Sequence, residues 1–392
     1  MPIETFKNKL ISYSDNDLLR ARYITDDRSD NKIVCDGKAL INFCSNDYLG
    51  LSMHSDVKKA FILGVEKYGF GSGSSALISG YFKPQKQLED SFSDFLNRDR
   101  ALLFNSGYHA NLAVMSTIGN RESAVISDKL CHASLLDGIR LSKAKRYRFY
   151  HNNIDHAELL IHLSQRKCLL VTESVFSMEG DISPIDKLAN IAKETQSFFI
   201  VDDAHGIGIL GKNGGGISEY FHLTQNDIPC LITPLGKAIG SIGAIVSGES
   251  ALIESLIQFS NTYRYSTSLP PAIACATLES LNLLKKENWR REKLQKLITF
   301  FIDQANHRSL PLISSDLTPI KSILIGKNKD TIGLKKLLHD QGFFISCIRP
   351  PTVAPNTARI RISLNCMHEE KDIIHLLDLL ADYYEKLKQI NA

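Results

Sequence analysis

The chain lacks most of the features that announce a function class. It holds one tryptophan in 392 residues, and its eight cysteines are scattered from Cys35 to Cys366. No Cys-x-x-Cys pair occurs and no Cys/His grouping has zinc spacing, which excludes a zinc ribbon and a disulfide scaffold. The cysteines read as reduced, mostly buried thiols of a reducing compartment. Charge is nearly balanced at +3 with acids and bases interspersed, so neither a nucleic-acid nor a membrane surface is implied. No run approaches the roughly 18 consecutive apolar residues of a membrane-spanning helix. The opening Met1-Pro2-Ile3-Glu4-Thr5-Phe6-Lys7 lacks the basic-then-apolar build of a signal peptide. The expected location is the cytoplasm. Internal repeats and low-complexity segments are also missing. What remains is ordinary: 43% hydrophobic and 23% charged residues, as in soluble globular proteins.

What is present is an alternation of short apolar runs with helical patterns. Strands are expected at residues 101–104, 168–172, 198–201, 230–233 and 243–246, with helices near 110–115 and 184–193. Unalternating runs of this length suit strands buried on both faces. Strands alternating with helices predict a mostly parallel α/β sheet. After about residue 285 the texture changes: a charged amphipathic helix over 285–301, strands at 321–325, 343–348 and 358–363, and a closing helix over 369–386. The expected division is an N-terminal helix and arm (1–45), a large α/β domain (46–285) and a small α+β domain (286–392).

Two segments carry the chemistry. An apolar run ends in Asp202-Asp203-Ala204-His205-Gly206, and a later one leads to Leu235-Gly236-Lys237-Ala238-Ile239-Gly240. Ligands of parallel sheets gather at the carboxyl ends of strands, so the fold brings Asp202 and Lys237 together. A lysine amine and a buried carboxylate are what a pyridoxal phosphate (PLP) enzyme needs, one to hold the cofactor and one to keep its ring nitrogen protonated. Phe104-Asn105-Ser106-Gly107-Tyr108-His109 reads as a strand, a turn and a helix N-terminus, which suits a phosphate; either Tyr108 or His109 is placed to stack on a ring. His132 lies in a stretch of small residues, flat against the cofactor on this reading. Glu173 and Ser177 follow another strand. His205 shares the Asp202 loop and suits a bond to the cofactor's phenolic oxygen; a metal site there lacks further ligands. Arg359 and Arg361 are expected to point to opposite faces of a strand, one pairing with a substrate carboxylate and the other structural.

Six ordered motifs carry a resemblance. Asn46-Asp47-Tyr48-Leu49-Gly50, Gly71-Ser72-Gly73, His132-Ala133-Ser134, Phe176 to Asp181, Asp202 to Gly206, and Gly236-Lys237-Ala238 together resemble the α-oxoamine synthases, fold-type I PLP enzymes. The likeness covers over nine-tenths of the chain, from about residue 18 onward. Tyr265 to Pro271, Ile348 to Val353 and Thr357 to Arg361 resemble the branch that makes 8-amino-7-oxononanoate for biotin from L-alanine and a pimeloyl thioester. The resemblance implies that Lys237 forms the Schiff base and transfers protons. It puts Asp202 at the ring nitrogen, His205 at the phenolic oxygen and His132 on the ring. Gly107 and Tyr108 would line the phosphate end, with Ser177 beside the cofactor. Ser266 and Thr267 would reach the phosphate from a partner subunit, in a homodimer with shared sites. Arg361 would hold the substrate carboxylate, with Arg20, Asn46 and Thr352 also lining the substrate path. The acyl carrier is coenzyme A or acyl carrier protein; for the latter, Lys143, Lys145, Arg146 and Arg148 form a basic run.

Two positions depart from the family. A threonine usually stands three residues before the lysine and touches the phosphate. Here that position is Pro234, with Thr233 or Ser241 as the compensating hydroxyl, and weaker cofactor binding is expected. After Gly73-Ser74-Ser75 the family places a basic or imidazole side chain, where this chain has Ala76 and Leu77. The competing readings are an α-oxoamine synthase with another amino acid or acyl group, such as glycine C-acetyltransferase or an α-aminoketone signal synthase, and a non-catalytic partner subunit.

Overall fold

A computed structural model describes residues 3–391. It has two compact units: Leu51–Ser177 with Ile182–Arg291, and the residues up to Gly50 with Met178–Asp181 and those from Glu292 onward. The N-terminal segment thus groups with the C-terminal one, against the expected division at 45 and 285.

The larger unit is built on seven strands: β1 (Arg100–Phe104), β2 (Ser123–Asp128), β3 (Lys145–Phe149), β4 (Lys167–Glu173), β5 (Phe198–Asp202), β6 (Cys230–Pro234) and β7 (Ala244–Gly248). Their order is β1-β7-β6-β5-β4-β2-β3. β7 runs antiparallel to both its neighbours, and the others are mutually parallel. The expected mostly parallel α/β sheet is what forms. β4 to β7 are almost wholly buried, as their unalternating apolar sequences require. Helix α1 (Gly107–Ile118) and helix α2 (Ala133–Ser142) pack on one face. Ala113, Val114 and Met115 of α1 and Leu135 and Ile139 of α2 share a core with Val125, Val171, Ile200 and Ile232 of the sheet. The two helices close up at Gly138, where a Cβ would lie 2.8 Å from that of Met115 and 2.9 Å from the Asn111 carbonyl.

Two strands escaped the sequence reading. β2 ends in Ser127-Asp128, which conceals its apolar middle. β3 is the run Lys145-Arg146-Tyr147-Arg148-Phe149, which was expected as a basic surface patch; it is an edge strand whose polar side chains remain largely exposed.

The smaller unit begins with a helix, Ile3–Asp15, then three antiparallel strands, Thr25–Ser29, Lys32–Cys35 and Lys38–Asn42, where only a helix and arm were expected. Phe343–Phe344 joins Lys38–Asn42 in parallel. A second sheet places Ala358–Ser363 between Ile320–Gly326 and Ser346–Ile348. The expected strand over 343–348 therefore serves two sheets, broken at Ile345. The closing helix runs Glu370–Asn391. The expected helix over 285–301 is interrupted: Pro271–Lys286 ends, and Trp289–His307 begins anew.

Candidate active site

The parallel strands deliver their last residues to one edge of the sheet. β5 ends in Asp202 and its neighbour β4 ends in Glu173, and these two are direct partners in register. Both carboxyls are buried, at 4% and 3% exposure. Two acids side by side in a dry site cannot both ionise cheaply. Burial pushes the Glu173 carboxyl well above the usual carboxylate range, Asp202 adds to that, and Lys237 opposes it. Asp202 accepts hydrogen bonds from Asn111 Nδ2 at 2.8 Å and from the Ala204 amide at 3.1 Å. Glu173 Oε1 accepts one from the His132 amide.

His132 is the N-cap of α2, its Nδ1 accepting from the Ser134 amide at 3.3 Å. Burial holds its imidazole below the ordinary value; Asp202 pulls the other way and Lys237 reinforces the depression. Asp202, Glu173, His132 and Lys237 are therefore one electrostatic set. Lys237 is half-buried in the loop after β6. That loop is tight: the Gly240 amide bonds the Lys237 carbonyl at 2.8 Å, and a Cβ on Gly240, at φ +68, would stand 2.5 Å from the Ser52 nitrogen. His205 is 3% exposed on the loop after β5. Ser177 is half-buried.

At the start of α1, Ser106 caps the helix by accepting from the His109 amide at 3.2 Å. A Cβ on Gly107 would lie 2.9 Å from Pro234 Cγ, so only glycine lets the helix begin against the end of β6. The first-turn amides of Gly107 and Tyr108 have no partner within a helix. The Tyr108 hydroxyl donates to Asp137 Oδ2, and the His109 ring bonds Ser106 Oγ at 2.9 Å, so both side chains are tied to neighbouring helix residues. Thr233 sits elsewhere than its expected compensating role requires. Successive side chains on a strand alternate, so with Pro234 on the α1 side Thr233 faces away, and its buried Oγ1 has no hydrogen-bond partner. Ser241 Oγ is bonded to Thr277 Oγ1 at 2.6 Å. The Thr267 carbonyl accepts from Asn105 Nδ2 at 2.7 Å, and Thr267 bridges to Ser75, with Ser266 adjoining.

In the smaller unit, Arg361 donates to Ser363 Oγ at 2.7 Å and to Asn46 Oδ1 at 3.2 Å. Arg359 pairs with Glu179 at 2.9 Å, both largely buried. The expected opposite faces are a misreading of the strand period: residues two apart lie on the same face, and Arg361 reaching Ser363 shows it. Of the two, Arg359 is the one paired with a carboxylate. Arg20 Nη2 donates to Thr352 Oγ1 at 2.9 Å across 332 positions of sequence, so two expected substrate-path residues meet. The Arg349 guanidinium holds the adjoining Asp17 and Leu19 carbonyls.

Comparison with known proteins decides the family. The model for aminotransferase class I and II matches residues 38–380. The chain belongs to the aminotransferase class I and II family. Within it, the chain is 45% identical to an 8-amino-7-oxononanoate synthase of Pseudomonas putida over 96% of both chains. It is 42% identical to one of Pseudomonas aeruginosa, over 97% of this chain and 94% of the relative. Among solved structures, an 8-amino-7-oxononanoate synthase from Francisella tularensis is 37% identical at a TM-score of 0.80, over 89% of this chain and 99% of that one. A serine palmitoyltransferase from S. paucimobilis with PLP and myriocin bound is 25% identical at a TM-score of 0.90, over 98% and 97%. These place the chain in the α-oxoamine synthase branch of the family, with fold-type I architecture.

The residues present fit the PLP of this class I and II fold. The buried Asp202–Glu173 pair calls for a positive group beside it, and a pyridinium is one. The Cβ-less start of α1 offers amides to a phosphate. Lys237 acts electrostatically on both His132 and Glu173, which places an amine at the same edge. Sequence reading missed Asn111 and Ser134 as site residues. Their signal is a buried polar side chain on an otherwise apolar helix face. Among the described residues no cluster of His, Cys, Asp and Glu is arranged for a metal.

Proposed function

We propose that this enzyme condenses L-alanine with a pimeloyl thioester, releasing the thiol and CO2, to give 8-amino-7-oxononanoate for biotin synthesis. The carrying observation is identity of 45% over 96% of both chains to a synthase of that name, joined to a buried acid, an imidazole and a half-buried amine in one electrostatic set. Bound PLP supplies an electron sink at the amino acid's α-carbon. Lys237 Nζ would hold the cofactor, and its free amine would take the α-proton and later return one. Asp202, held by the neutral donors Asn111 Nδ2 and the Ala204 amide, would keep the ring nitrogen protonated. His132 would pack the ring face, His205 would bond the phenolic oxygen and Ser177 would lie beside them. The amides of Gly107 and Tyr108 would hold the phosphate. Arg361, steadied by Asn46 and Ser363, pairs with the substrate carboxylate, while Arg20 and Thr352 line the acyl path. Ser266 and Thr267 complete a partner subunit's phosphate site in a homodimer. Its eight thiols are free, which suits the cytoplasm.

The test is mass spectrometry of PLP-loaded protein with L-alanine and pimeloyl-CoA, or pimeloyl-acyl carrier protein. The expected product is 8-amino-7-oxononanoate, lost in Lys237→Ala. Bound cofactor without product from either thioester rejects the substrate assignment and moves it to another amino acid or acyl group, with Ala76 and Leu77 as the first residues to exchange.

A further inference from the structure

One buried amide connects two groups at the carboxyl edge that belong to different elements. Asn111, 1% exposed on the third helical position after Tyr108, donates from the same Nδ2 to Asp202 Oδ2 at 2.8 Å and to Ser134 Oγ at 2.8 Å. Ser134 Oγ in turn stands 2.7 Å from His132 Nδ1. The direction of each bond follows from the donors available. His132 Nδ1 already accepts from the Ser134 amide, so that nitrogen is unprotonated. The Ser134 hydroxyl must then donate to it, which leaves the Ser134 oxygen to accept from Asn111. Both amide hydrogens of Asn111 are thereby used, one on each partner. Its Oδ1 is left buried without a partner, a cost a purely space-filling side chain would not carry. The arrangement requires α1 and α2 to approach closely, which Gly138 permits.

We infer that Asn111 and Ser134 are positioning residues: a fixed fork that locks Asp202 in one rotamer and His132 in its Nε2-protonated form. This rests on the reading that Asp202 and His132 hold PLP. A neutral donor is the fitting choice. It steadies the Asp202 carboxylate without neutralising it, leaving the full charge for the cofactor ring. An arginine or lysine at 111 would compete for that charge. The lowered basicity of His132, from burial first, agrees with an imidazole held neutral.

The experiment uses Ser134→Ala, Asn111→Leu and Asn111→Asp in the full chain. First, nitrogen NMR of the imidazole in the cofactor-free protein reads the His132 tautomer. Wild type is expected to show an unprotonated Nδ1, and Ser134→Ala and Asn111→Leu a mixture of tautomers. Second, spectrophotometric titration reads PLP affinity. Asn111→Asp sets a further carboxylate, besides Glu173, against Asp202 and is expected to weaken PLP by about tenfold or more. Asn111→Leu is expected to shift the pH at which the visible cofactor band changes. An unchanged tautomer in Ser134→Ala and Asn111→Leu overturns the fork. If wild type takes up no PLP, the functional reading fails instead, and the NMR result still decides the fork. A loss of melting temperature without change in tautomer or band overturns a positioning role in favour of a structural one.

Discussion

Pro234 stands three residues before Lys237, where the resemblance implies a threonine. Its ring packs where a Gly107 Cβ would be, so the side chain at 234 points at the first turn of α1. A proline there can offer a phosphate neither a hydroxyl nor an N–H. A hydrogen bond to a charged group contributes roughly 1.5–3 kcal/mol, so Pro234→Thr is expected to tighten PLP by about tenfold. Fluorescence titration checks it, and unchanged affinity would mean that position 234 does not reach the phosphate. Neither Thr233, on the other face of β6, nor Ser241, bonded to Thr277, is placed as the substitute. At this scale the sequence was legible where one residue type carries the chemistry, as at Asp202, Lys237 and His132. It was not legible where the role comes from a neighbour on another element. Asn111 and Ser134 are 23 positions apart and meet only because two helices cross at Gly138. Arg359 and Arg361 share a face of their strand, and only the folded chain pairs the first with Glu179 and the second with Asn46.

The loop that follows β5 explains its own sequence. Asp203 is fully buried and accepts from the Ile217 amide at 3.1 Å. Its carboxylate occupies the space two other residues would need: a Cβ on Gly206 would lie 2.0 Å from Oδ1, and one on Gly216 would lie 1.9 Å from Oδ2. The second acid of Asp202-Asp203-Ala204-His205-Gly206 is therefore a structural tie, and the glycine is there to admit it. Gly206→Ala must push that carboxylate or the loop aside, and overpacking of this kind costs about 1–3 kcal/mol. A urea midpoint equal to wild type would refute the account, since nothing else in the loop leaves room. The elements themselves were legible where apolar runs were long, as in β4 to β7. The break between Pro271–Lys286 and Trp289–His307 was not, because no glycine or proline marks it. Its stop is made instead by side chains: Arg290 Nε bonds Glu287 at 2.6 Å, and Arg291 Nη1 bonds the Leu284 carbonyl at 2.8 Å.

Taken as a whole, the molecule buries titratable groups of opposite kind in its two units, and pH should separate them. In the larger unit, burial pushes the carboxyls of Glu89 and Asp203 each up to about 7. A carboxyl whose folded pKa is raised binds its proton more tightly when folded. Its contribution is full below the unfolded pKa, near 4, and is lost as pH rises through 7. In the smaller unit, burial pushes His368 down to about 4. Its Nδ1 accepts from the Asn365 amide at 2.9 Å, its Nε2 lies 3.1 Å from the Asn42 carbonyl, and its ring stacks on Phe43 at 4.1 Å. That environment suits the neutral ring alone, so its contribution is present above 6.5 and is lost as pH falls through 4. Each shift is on the order of 3 kcal/mol. Between pH 7 and pH 5 the larger unit is therefore expected to gain stability while the smaller one loses it. Amide hydrogen exchange, corrected for intrinsic rates, reads the two cores separately at Ile200 of β5 and Ile360 of Ala358–Ser363. Protection should rise at Ile200 and fall at Ile360 on acidification. Glu89→Gln should roughly halve the first trend and leave the second, because a glutamine has no proton to lose in that range while Asp203 still does. Parallel changes in both cores would reject the assignment of these buried groups as the source of the pH dependence.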